Sequence, residues 1–581
     1  MPSASDTAVG GVGRRGFDGF VGHRLRMAMT RRRAWHAAAF LLLASLLTGC
    51  FSSSTSFVGT GTGTVRPRGA AVRGRLVVNI DADLPAVSTA PGSLPPVRSA
   101  AAPPAPFSGR EGGARFSRVH NGGPGGRRQA AGGGGDGADS GMRYWLLAQD
   151  DAVPDDPRLA EQWNLHLIRA PQGWATLARQ RPFMSRVPVA IVDTRICRDH
   201  VDLLPGPWRG FDALGDGVDA LSCPPGPGDY AAQHGTMVAG IVAAHTNNGR
   251  GIAAATWVPG GGGGTSPVEP LAVRVLDDAG RGSIEHITQG IAWAVEQGGA
   301  RVVNLSLGFP YDPAEPAHME ERDKLFAELD RHAGRALFVA AAGNDGGPRL
   351  ASPADHPDVL AVGATDPRGR KAEYSNEGDV DLVAPGGAWA PVTAGVLSTM
   401  GESGYGYLSG TSMAAPHVAA AAALLMAAGV ERPDEVAAVL KFTARSIRDP
   451  ESGAVYYDKS SGRSPAYGWG MLDVAGALRM KVMPVVFLAR VTPDAVHAVS
   501  DMVWPAPDGA FSVSRDAAFG DAADEVDELY VVAWADSDMD GHVSEGDFYG
   551  ALPVNLSGGD VYVGELHADP YRGGRRSVHR R

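Results

Sequence analysis

Residues 410–418 read Gly-Thr-Ser-Met-Ala-Ala-Pro-His-Val, and this stretch decides the fold of the chain. The Gly-Thr pair predicts a tight turn, and the alanine-rich residues after it predict a helix. Pro416 fits a first helical turn, where its missing N–H costs no hydrogen bond. Ser412 would then stand at the positive end of a helix and could project into a cleft. A purely structural turn of an α/β protein is the alternative.

The sequence around this stretch alternates between apolar runs and helical patterns. The apolar runs, typical of strands buried on both faces, lie at 187–193, 271–276, 301–307, 336–342, 359–364 and 380–384. The helical patterns between them lie at 235–246, 283–297 and 318–333. The alternation predicts an α/β fold over residues 144–480, a doubly wound parallel sheet with flanking helices. Reactive groups gather at the carboxyl ends of such strands, where Asp193 and Asn344 lie.

Three side chains at element boundaries form a candidate catalytic set. Asp193 ends a predicted buried strand, His234 opens a helix and Ser412 opens another. A lone histidine at a helix start is more often a structural hydrogen bonder. Taken together, however, the three residues supply the nucleophile, the base and the orienting carboxylate of an acyl-transfer reaction.

Several sequence blocks follow the order found in the subtilisin-like serine peptidases. Residues 193–194, 234–236 and 410–416 resemble motifs of that family, and the resemblance runs from about residue 156 to 477. It implies the family's fold and a serine endopeptidase that hydrolyses peptide bonds through an acyl-enzyme. A catalytically inactive scaffold for peptide binding or surface display is the alternative. The intact chemical positions argue for the enzyme.

The resemblance implies a role for each residue of the site. Ser412 is the nucleophile, His234 is the base that takes its proton, and Asp193 orients the imidazole. Asn344 would donate its side-chain amide to the oxyanion, with the backbone N–H of Ser412 as the second donor.

The resemblance also implies a cleft that binds protein or peptide substrates as extended strands. The residues implied for substrate binding are Ser306, Leu307, Gly308, Ala341, Ala342 and Gly343. The first three resemble the strand against which the substrate pairs. The last three would line the pocket for the side chain that precedes the scissile bond.

The loops beside Asp193 and His234 contain an arginine and two cysteines. Arg195 departs from the family pattern, which has glycine directly after Asp-Thr, and a positive φ there would strain an arginine. Cys197 follows the Asp193 strand and Cys223 precedes His234. Outside the reducing cytosol, a disulfide between them is favoured over two unpaired thiols.

The N-terminal residues 1–50 predict an export signal. Arginines at 24–33 precede an apolar run at 37–47, which is too short for a permanent transmembrane helix. The run ends in Leu-Thr-Gly-Cys at 47–50, which resembles the bacterial lipoprotein signal. Cys50 would then carry a lipid anchor to the membrane, and the protein would face the periplasm or the cell surface. An ordinary cleavage site, giving a secreted protein, is the alternative.

Residues 51–143 are rich in glycine and proline and predict a disordered tether. A short apolar segment at 75–83 could form one strand within it. The net charge of −11 argues against nucleic acid as a partner, and three cysteines are too few for a disulfide-built scaffold. We expect a monomer without an organic cofactor.

Residues 481–568 predict a small all-β sandwich, because short alternating apolar runs lie at 482–488, 510–514, 528–534, 552–554 and 561–566. An acidic loop within this region has the spacing of a structural calcium site. Its predicted ligands are Asp536, Asp538, Asp540, His542 and Asp547. A solvated turn is the alternative. The arginine-rich tail at 569–581 is expected to be disordered.

Overall fold

The computed structural model describes residues 71–78, 153–180, 185–206, 208–224, 226, 229–260, 266–449, 452–493, 495–500, 502–514, 529–537, 542–544, 547–555, 561–573 and 576–579. Cys50 and most of the predicted tether lie outside these ranges. None of the helices within them is both long enough and apolar enough to span a bilayer.

The elements are numbered in chain order. The strands are β1 (Ala71–Val78), β2 (Val187–Asp193), β3 (Arg209–Asp212), β4 (Val268–Arg274), β5 (Val302–Leu305), β6 (Leu337–Ala341), β7 (Val359–Thr365), β8 (Leu382–Pro385), β9 (Val396–Met400), β10 (Gly404–Leu408), β11 (Ile447–Arg448), β12 (Val455–Tyr457), β13 (Val485–Val491), β14 (Ala495–Ala498), β15 (Ala510–Ser514), β16 (Leu529–Ala535), β17 (His542–Val543), β18 (Phe548–Val554), β19 (Val561–Pro570) and β20 (Arg576–His579). The α-helices are α1 (Trp163–Leu167), α2 (Ala170–Gln180), α3 (Tyr230–Ala243), α4 (Ile284–Glu296), α5 (Pro316–His332), α6 (Thr411–Ala427), α7 (Pro433–Thr443) and α8 (Val474–Met480).

A seven-stranded parallel sheet forms the centre of the fold, in the order β3-β4-β2-β5-β6-β7-β8. All of its strand pairs are parallel, and the central strands β5, β6 and β7 are buried at every residue. Helices cover it, which explains why these strands are apolar on both faces. The α/β prediction is therefore confirmed. The edge strand β3 was not predicted, because Phe211 is its only large apolar side chain.

Helix α6 lies in the core and carries Ser412 at its start. Every residue from Met413 to Ala427 is buried, and the helix contacts strands β5 to β8. A helix that is apolar all round belongs in a protein interior, so its alanine-rich sequence is explained by close packing rather than by an amphipathic face.

A β-hairpin, β9 and β10, packs against helix α3. The side chains of Ser398 and Thr399 donate hydrogen bonds to the carbonyls of Met237 and Thr236. Gly240 of α3 lies so close to these hydroxyls that a Cβ there would approach them within 2.4 Å. The small residues of α3 therefore allow the hairpin to approach closely.

The C-terminal region is all-β, as predicted, and its nine strands follow one continuous order. That order is β15-β1-β19-β18-β16-β13-β14-β20-β17. Successive residues of β13 and β16 alternate between two apolar clusters: Leu488 and Val531 join the large core that includes the parallel sheet, while Phe487 and Trp534 form a second cluster. The period of two is that of a strand buried on both faces.

Strand β1 comes from the segment that was predicted to be a tether. It lies between β15, to which it is antiparallel, and β19, to which it is parallel. Val72 and Leu76 are buried in the large core, and the Leu76 N–H donates to the carbonyl of Gly509 at 2.7 Å. The strand expected at 75–83 is therefore confirmed for residues 75–78, and the tether prediction is wrong for residues 71–74, because β1 completes the C-terminal sheet.

The tail prediction also requires correction. Residues 576–579 form β20, which pairs with β14 and β17. Val578 packs against the second apolar cluster, and the Arg576 guanidinium lies over the rings of Tyr549 and Tyr571 at 5.9 and 5.8 Å. These cation–π contacts explain why an arginine-rich segment is ordered here.

Candidate active site

Asp193 and His234 form a hydrogen-bonded pair at the carboxyl end of the parallel sheet. The His234 Nδ1 and the Asp193 Oδ1 lie 2.7 Å apart, and Asp193 is fully buried. The Thr194 N–H also donates to Oδ1, whereas Oδ2 is buried without a hydrogen-bond partner among the described residues. The carboxylate therefore directs its charge at the imidazole.

The loop after β2 fixes the start of helix α3. The Gly235 N–H donates to the Thr194 hydroxyl at 2.9 Å. A Cβ at residue 235 would lie 2.6 Å from the Thr194 carbonyl oxygen, so only glycine fits after His234. The Asp229 carboxylate caps the helix by accepting from the N–H groups of Ala231 and Ala232. The His-Gly-Thr sequence thus places the imidazole against the end of β2.

The surroundings of His234 raise the pKa of its imidazole above the value in water. Burial, the largest influence, lowers the pKa of His234, but the charge of Asp193 and the hydrogen bond to it raise it. The net result is a pKa above the ordinary value of 6.5.

Ser412 stands at the first turn of α6 and lines the same cleft as His234. These two described side chains form no hydrogen bond with each other. Such contacts are often long in the absence of substrate. Ser306 accepts a hydrogen bond from Asn304 and donates one to the Ser412 carbonyl at 2.7 Å, so it holds the backbone of the turn. The sequence analysis assigned Ser306 only to substrate binding and missed this support.

The side-chain oxygen of Asn344 is fixed by Thr411. It accepts hydrogen bonds from the Thr411 N–H at 2.8 Å and from the Thr411 hydroxyl at 2.9 Å. Because the side-chain oxygen already accepts these two hydrogen bonds, the amide nitrogen is the part of Asn344 that can donate to a substrate in the cleft. Gly343, which has a φ of +110°, makes the turn that exposes Asn344.

The cleft has a volume of about 660 Å³. Of the residues predicted to bind substrate, its walls contain Ser306, Leu307, Gly308, Ala341 and Gly343. The prediction that Ala342 lines the pocket is wrong. Ala342 is fully buried, and its N–H donates to the Val362 carbonyl of β7. The alternation of a strand turns its side chain away from the cleft wall formed by Ala341.

Arg195 and a disulfide fix the loops that flank the pair. Arg195 is not among the residues with positive φ, so the expected backbone strain is absent. Its guanidinium binds the Asp278 carboxylate through two nitrogens and also contacts Ser222. Cys197 and Cys223 form the expected disulfide.

His417, which lies on the same helix as Ser412, is a structural residue. It is fully buried, its Nδ1 faces the Met413 carbonyl, and its Nε2 lies 2.8 Å from the Asn164 amide nitrogen. Burial lowers its pKa to about 4, so the ring is neutral. It links α6 to α1, which the sequence analysis did not predict.

The predicted calcium loop is only partly described, since Asp538 and Asp540 lie outside the described ranges. Asp547 is buried and accepts hydrogen bonds from the N–H groups of Ser537 and Ser544. Burial raises its pKa to about 6, and the nearby charge of Asp536 adds to that shift. Within the described residues, no group of three or more histidine, cysteine or acidic side chains is arranged to hold a metal.

The sequence analysis also missed a pair of buried carboxylates. Asp156 accepts from the N–H groups of Asn247 and Asn248, and Asp202 accepts from the Asn248 amide and the Ile252 N–H. Burial, opposed by these hydrogen bonds and assisted by the charge of Asp202, raises the pKa of Asp156 to about 7. Two buried carboxylates are a candidate cation site.

Comparison with known proteins assigns this part of the chain to one family. A profile of the subtilase family, Peptidase S8, matches residues 185–470. Thermitase from Thermoactinomyces vulgaris is 36% identical over 299 residues, which are 51% of this chain and 92% of thermitase. The chain therefore belongs to the subtilase family of serine endopeptidases.

Further relatives match the same region. The thermophilic serine proteinase of Bacillus sp. (strain AK1) is 37% identical over 243 residues, 42% of this chain and 52% of that protein. Subtilisin E of Bacillus subtilis (strain 168) is 32% identical over 337 residues, 57% of this chain and 74% of that protein. The chain thus spans about half of the first relative and most of the second.

Proposed function

We propose that this chain is an exported serine endopeptidase that cleaves proteins or peptides through an acyl-enzyme at Ser412. The observation that carries the proposal is the buried Asp193–His234 pair, which faces the same cleft as Ser412 and Asn344. An inactive scaffold is not favoured, because the cleft retains a nucleophile, a base, an orienting carboxylate and an amide donor.

Each group has one task in the proposed reaction. His234 Nε2 takes the proton of Ser412 as the hydroxyl attacks the carbonyl carbon of the scissile bond, and then gives that proton to the leaving amine. Asp193 holds the Nδ1–H and stabilises the imidazolium. The Asn344 amide and the Ser412 N–H donate to the oxyanion. Water, activated by His234, then hydrolyses the acyl-enzyme.

The test of this proposal is covalent labelling by a serine-directed phosphonate. The expected adduct forms on the peptide that contains Ser412 and blocks casein cleavage. The Ser412→Ala variant should take no label and cleave no casein. Labelling at another serine, or equal casein cleavage by wild type and variant, would contradict the proposed nucleophile.

Replacing Asn344 by Ala is expected to lower kcat by about 10²–10³-fold with a much smaller change in KM. The lost hydrogen bond is formed mainly with the oxyanion of the transition state. Steady-state kinetics on a peptide anilide would measure both constants. Asn344→Asp offers a nearly isosteric comparison, since it keeps the acceptor for Thr411 and loses the amide donor. A rise in KM alone would mean that Asn344 binds only the ground state.

Activity is expected to rise with pH through an acid limb centred above pH 6.5. His234 must be neutral to accept a proton, and Asp193 holds the pKa of His234 above its ordinary value, so the active form accumulates only above that pKa. Initial rates between about pH 5 and 9 on a neutral substrate would define the limb. A flat profile over that range would exclude His234 as the base.

We further propose that Cys50 anchors the exported enzyme to a membrane. The support is the Leu-Thr-Gly-Cys sequence at 47–50, which follows an arginine-rich and then an apolar segment. Detergent partition of wild type and Cys50→Ala would test it. If the wild type stays in the aqueous phase, as the Cys50→Ala variant is expected to do, the proposed lipid anchor is contradicted.

Calcium is the proposed structural cofactor of the acidic loop at 536–547. Subtilases commonly bind calcium, and Asp536 and Asp547 lie near one another in this loop. Bound calcium would relieve the repulsion between carboxylates and stabilise the folded loop by mass action.

Chelation of calcium is therefore expected to lower the melting temperature of the protein. The double variant Asp536→Ala with Asp540→Ala should show no such change on chelation. If the double variant responds to calcium as wild type does, calcium binds elsewhere, and Asp156 and Asp202 are then the candidate site.

A further inference from the structure

Two large apolar side chains stand on a surface loop that begins next to the turn before Ser412. Trp389 and Val392 are each 69% exposed, on the loop between β8 and β9. An exposed tryptophan with an aliphatic neighbour on one short loop is unfavourable in water unless something covers it. The loop is therefore a candidate binding surface.

Hydrogen bonds fix this loop relative to Ser412. The Gly410 N–H, two residues before the nucleophile, donates to the Gly386 carbonyl at 3.0 Å. The Ser409 hydroxyl donates to the Ala388 carbonyl at 2.8 Å. The loop closes on itself through the Ala388 N–H, which donates to the Ala394 carbonyl at 3.1 Å. The start of the loop is thus attached to the turn that carries the nucleophile, and the bond between Ala388 and Ala394 joins its far side to that start.

The Trp389 ring is held in place from one side. It stacks on the ring of Tyr374, with centroids 5.4 Å apart and planes at 23°. Tyr374 is buried, and its hydroxyl oxygen lies 2.8 Å from the carbonyl oxygens of both Gly386 and Gly387, which share its single proton. A ring that is already ordered loses little conformational entropy when a ligand covers it.

The loop lies outside the cleft that would hold the acyl half of the substrate. That cleft is bounded by residues 280–282, 306–308, 341 and 343–345, and none of the described residues 386–395 lines it. A peptide that crosses Ser412 must leave the cleft past the other side of the nucleophile. The segment hydrogen-bonded to Gly410 is a candidate for the surface along that exit.

We propose that Trp389 and Val392 bind apolar side chains on the leaving-group side of the scissile bond, an inference that rests on the proposed peptidase function. The enzyme then selects apolar residues after the cut as well as before it. Contact with one aliphatic side chain would raise kcat/KM by about tenfold over a charged side chain at the same position.

The experiment compares substrates that differ only beyond the scissile bond. Internally quenched peptides share one acyl sequence and carry leucine, aspartate or lysine at the first two positions after the cut. A p-nitroanilide with the same acyl sequence has no residue there. The variants are Trp389→Ala and Trp389→Glu. Trp504→Ala is the matched control, because Trp504 is 48% exposed in the C-terminal region.

Wild type should prefer the leucine peptide to the aspartate peptide by about tenfold. Trp389→Ala should remove that preference and lower the ratio of leucine-peptide to anilide turnover by a similar factor. Trp389→Glu should favour the lysine peptide, and Trp504→Ala should keep the wild-type preference. Unchanged preferences in both Trp389 variants, with melting temperatures equal to wild type, would overturn the inference. A wild type that cleaves neither the anilide nor the peptides would overturn the proposed function and the inference with it.

Discussion

Replacing Asp193 by Asn is expected to lower kcat by about 10⁴-fold while the melting temperature changes little. The amide fills the same space at the end of β2. However, Asp193 Oδ1 contacts both the Thr194 N–H and the His234 Nδ1, so an asparagine oxygen in that position would keep both contacts but would carry no negative charge. The imidazolium that forms when His234 takes the proton of Ser412 would then lose its stabilising carboxylate, and this is the source of the expected loss.

The pH profile of the variant gives a second readout of the same interaction. The charge of Asp193 raises the pKa of His234, so its loss should move the acid limb of the residual activity to lower pH. Asp212→Asn is a matched control, since Asp212 ends β3, which is separated from β2 by β4, and binds Arg274 outside the cleft. It should keep the wild-type kcat. A loss smaller than about tenfold in Asp193→Asn would mean that another group orients His234.

Changing both Val72 and Leu76 to Asp is expected to unfold the C-terminal sheet at ordinary temperature. Both side chains are buried in the large apolar core, and two carboxylates there would have no counter-charge among the core side chains. The lost burial and the desolvation of the charges would together cost more than about 5 kcal/mol, a large part of the stability of a domain.

Limited proteolysis in a Ser412→Ala background would measure this effect without self-digestion. The protease-sensitive sites should map to residues 485–579, and the fluorescence of Trp534 should shift on its exposure to water. Tyr562→Asp is the control, because Tyr562 lies on the adjacent strand β19 and is 76% exposed. It should melt like the parent. Equal resistance of the double variant and the control would mean that the sheet is stable without β1.

The sequence predicted those features that depend on local pattern. Strands such as β5 and β7 are buried on both faces and therefore read as continuous apolar runs. The turn before Ser412 and the close packing of α3 after His234 were predicted because each needs particular small residues, which leave a recognisable motif. The predicted pairing of Cys197 with Cys223 was likewise confirmed, since the two residues form a disulfide.

The features that were missed depend on contacts between distant segments. Nothing in residues 71–78 indicates which strands they will pair with, because register in a sheet is set by the partners as much as by the strand. The tail was predicted to be disordered because it is rich in arginine, yet residues 576–579 are ordered through contacts of Arg576 with the rings of Tyr549 and Tyr571. The strain expected at Arg195 is absent because its backbone has an ordinary conformation, in which Asp278 and Ser222 bind its guanidinium.

The position of β1 has a consequence for the order in which the protein assembles. Synthesis delivers β1 early, whereas its partner strands β15 and β19 follow more than 400 residues later in the chain. The subtilase domain can thus fold while β1 is still unpaired, and the C-terminal sheet closes in a late step of very high contact order. Once it has closed, the segment between β1 and β2 is attached at both ends to folded structure. A single cut within that segment would then leave both fragments in one particle, held by β-sheet hydrogen bonds and buried side chains.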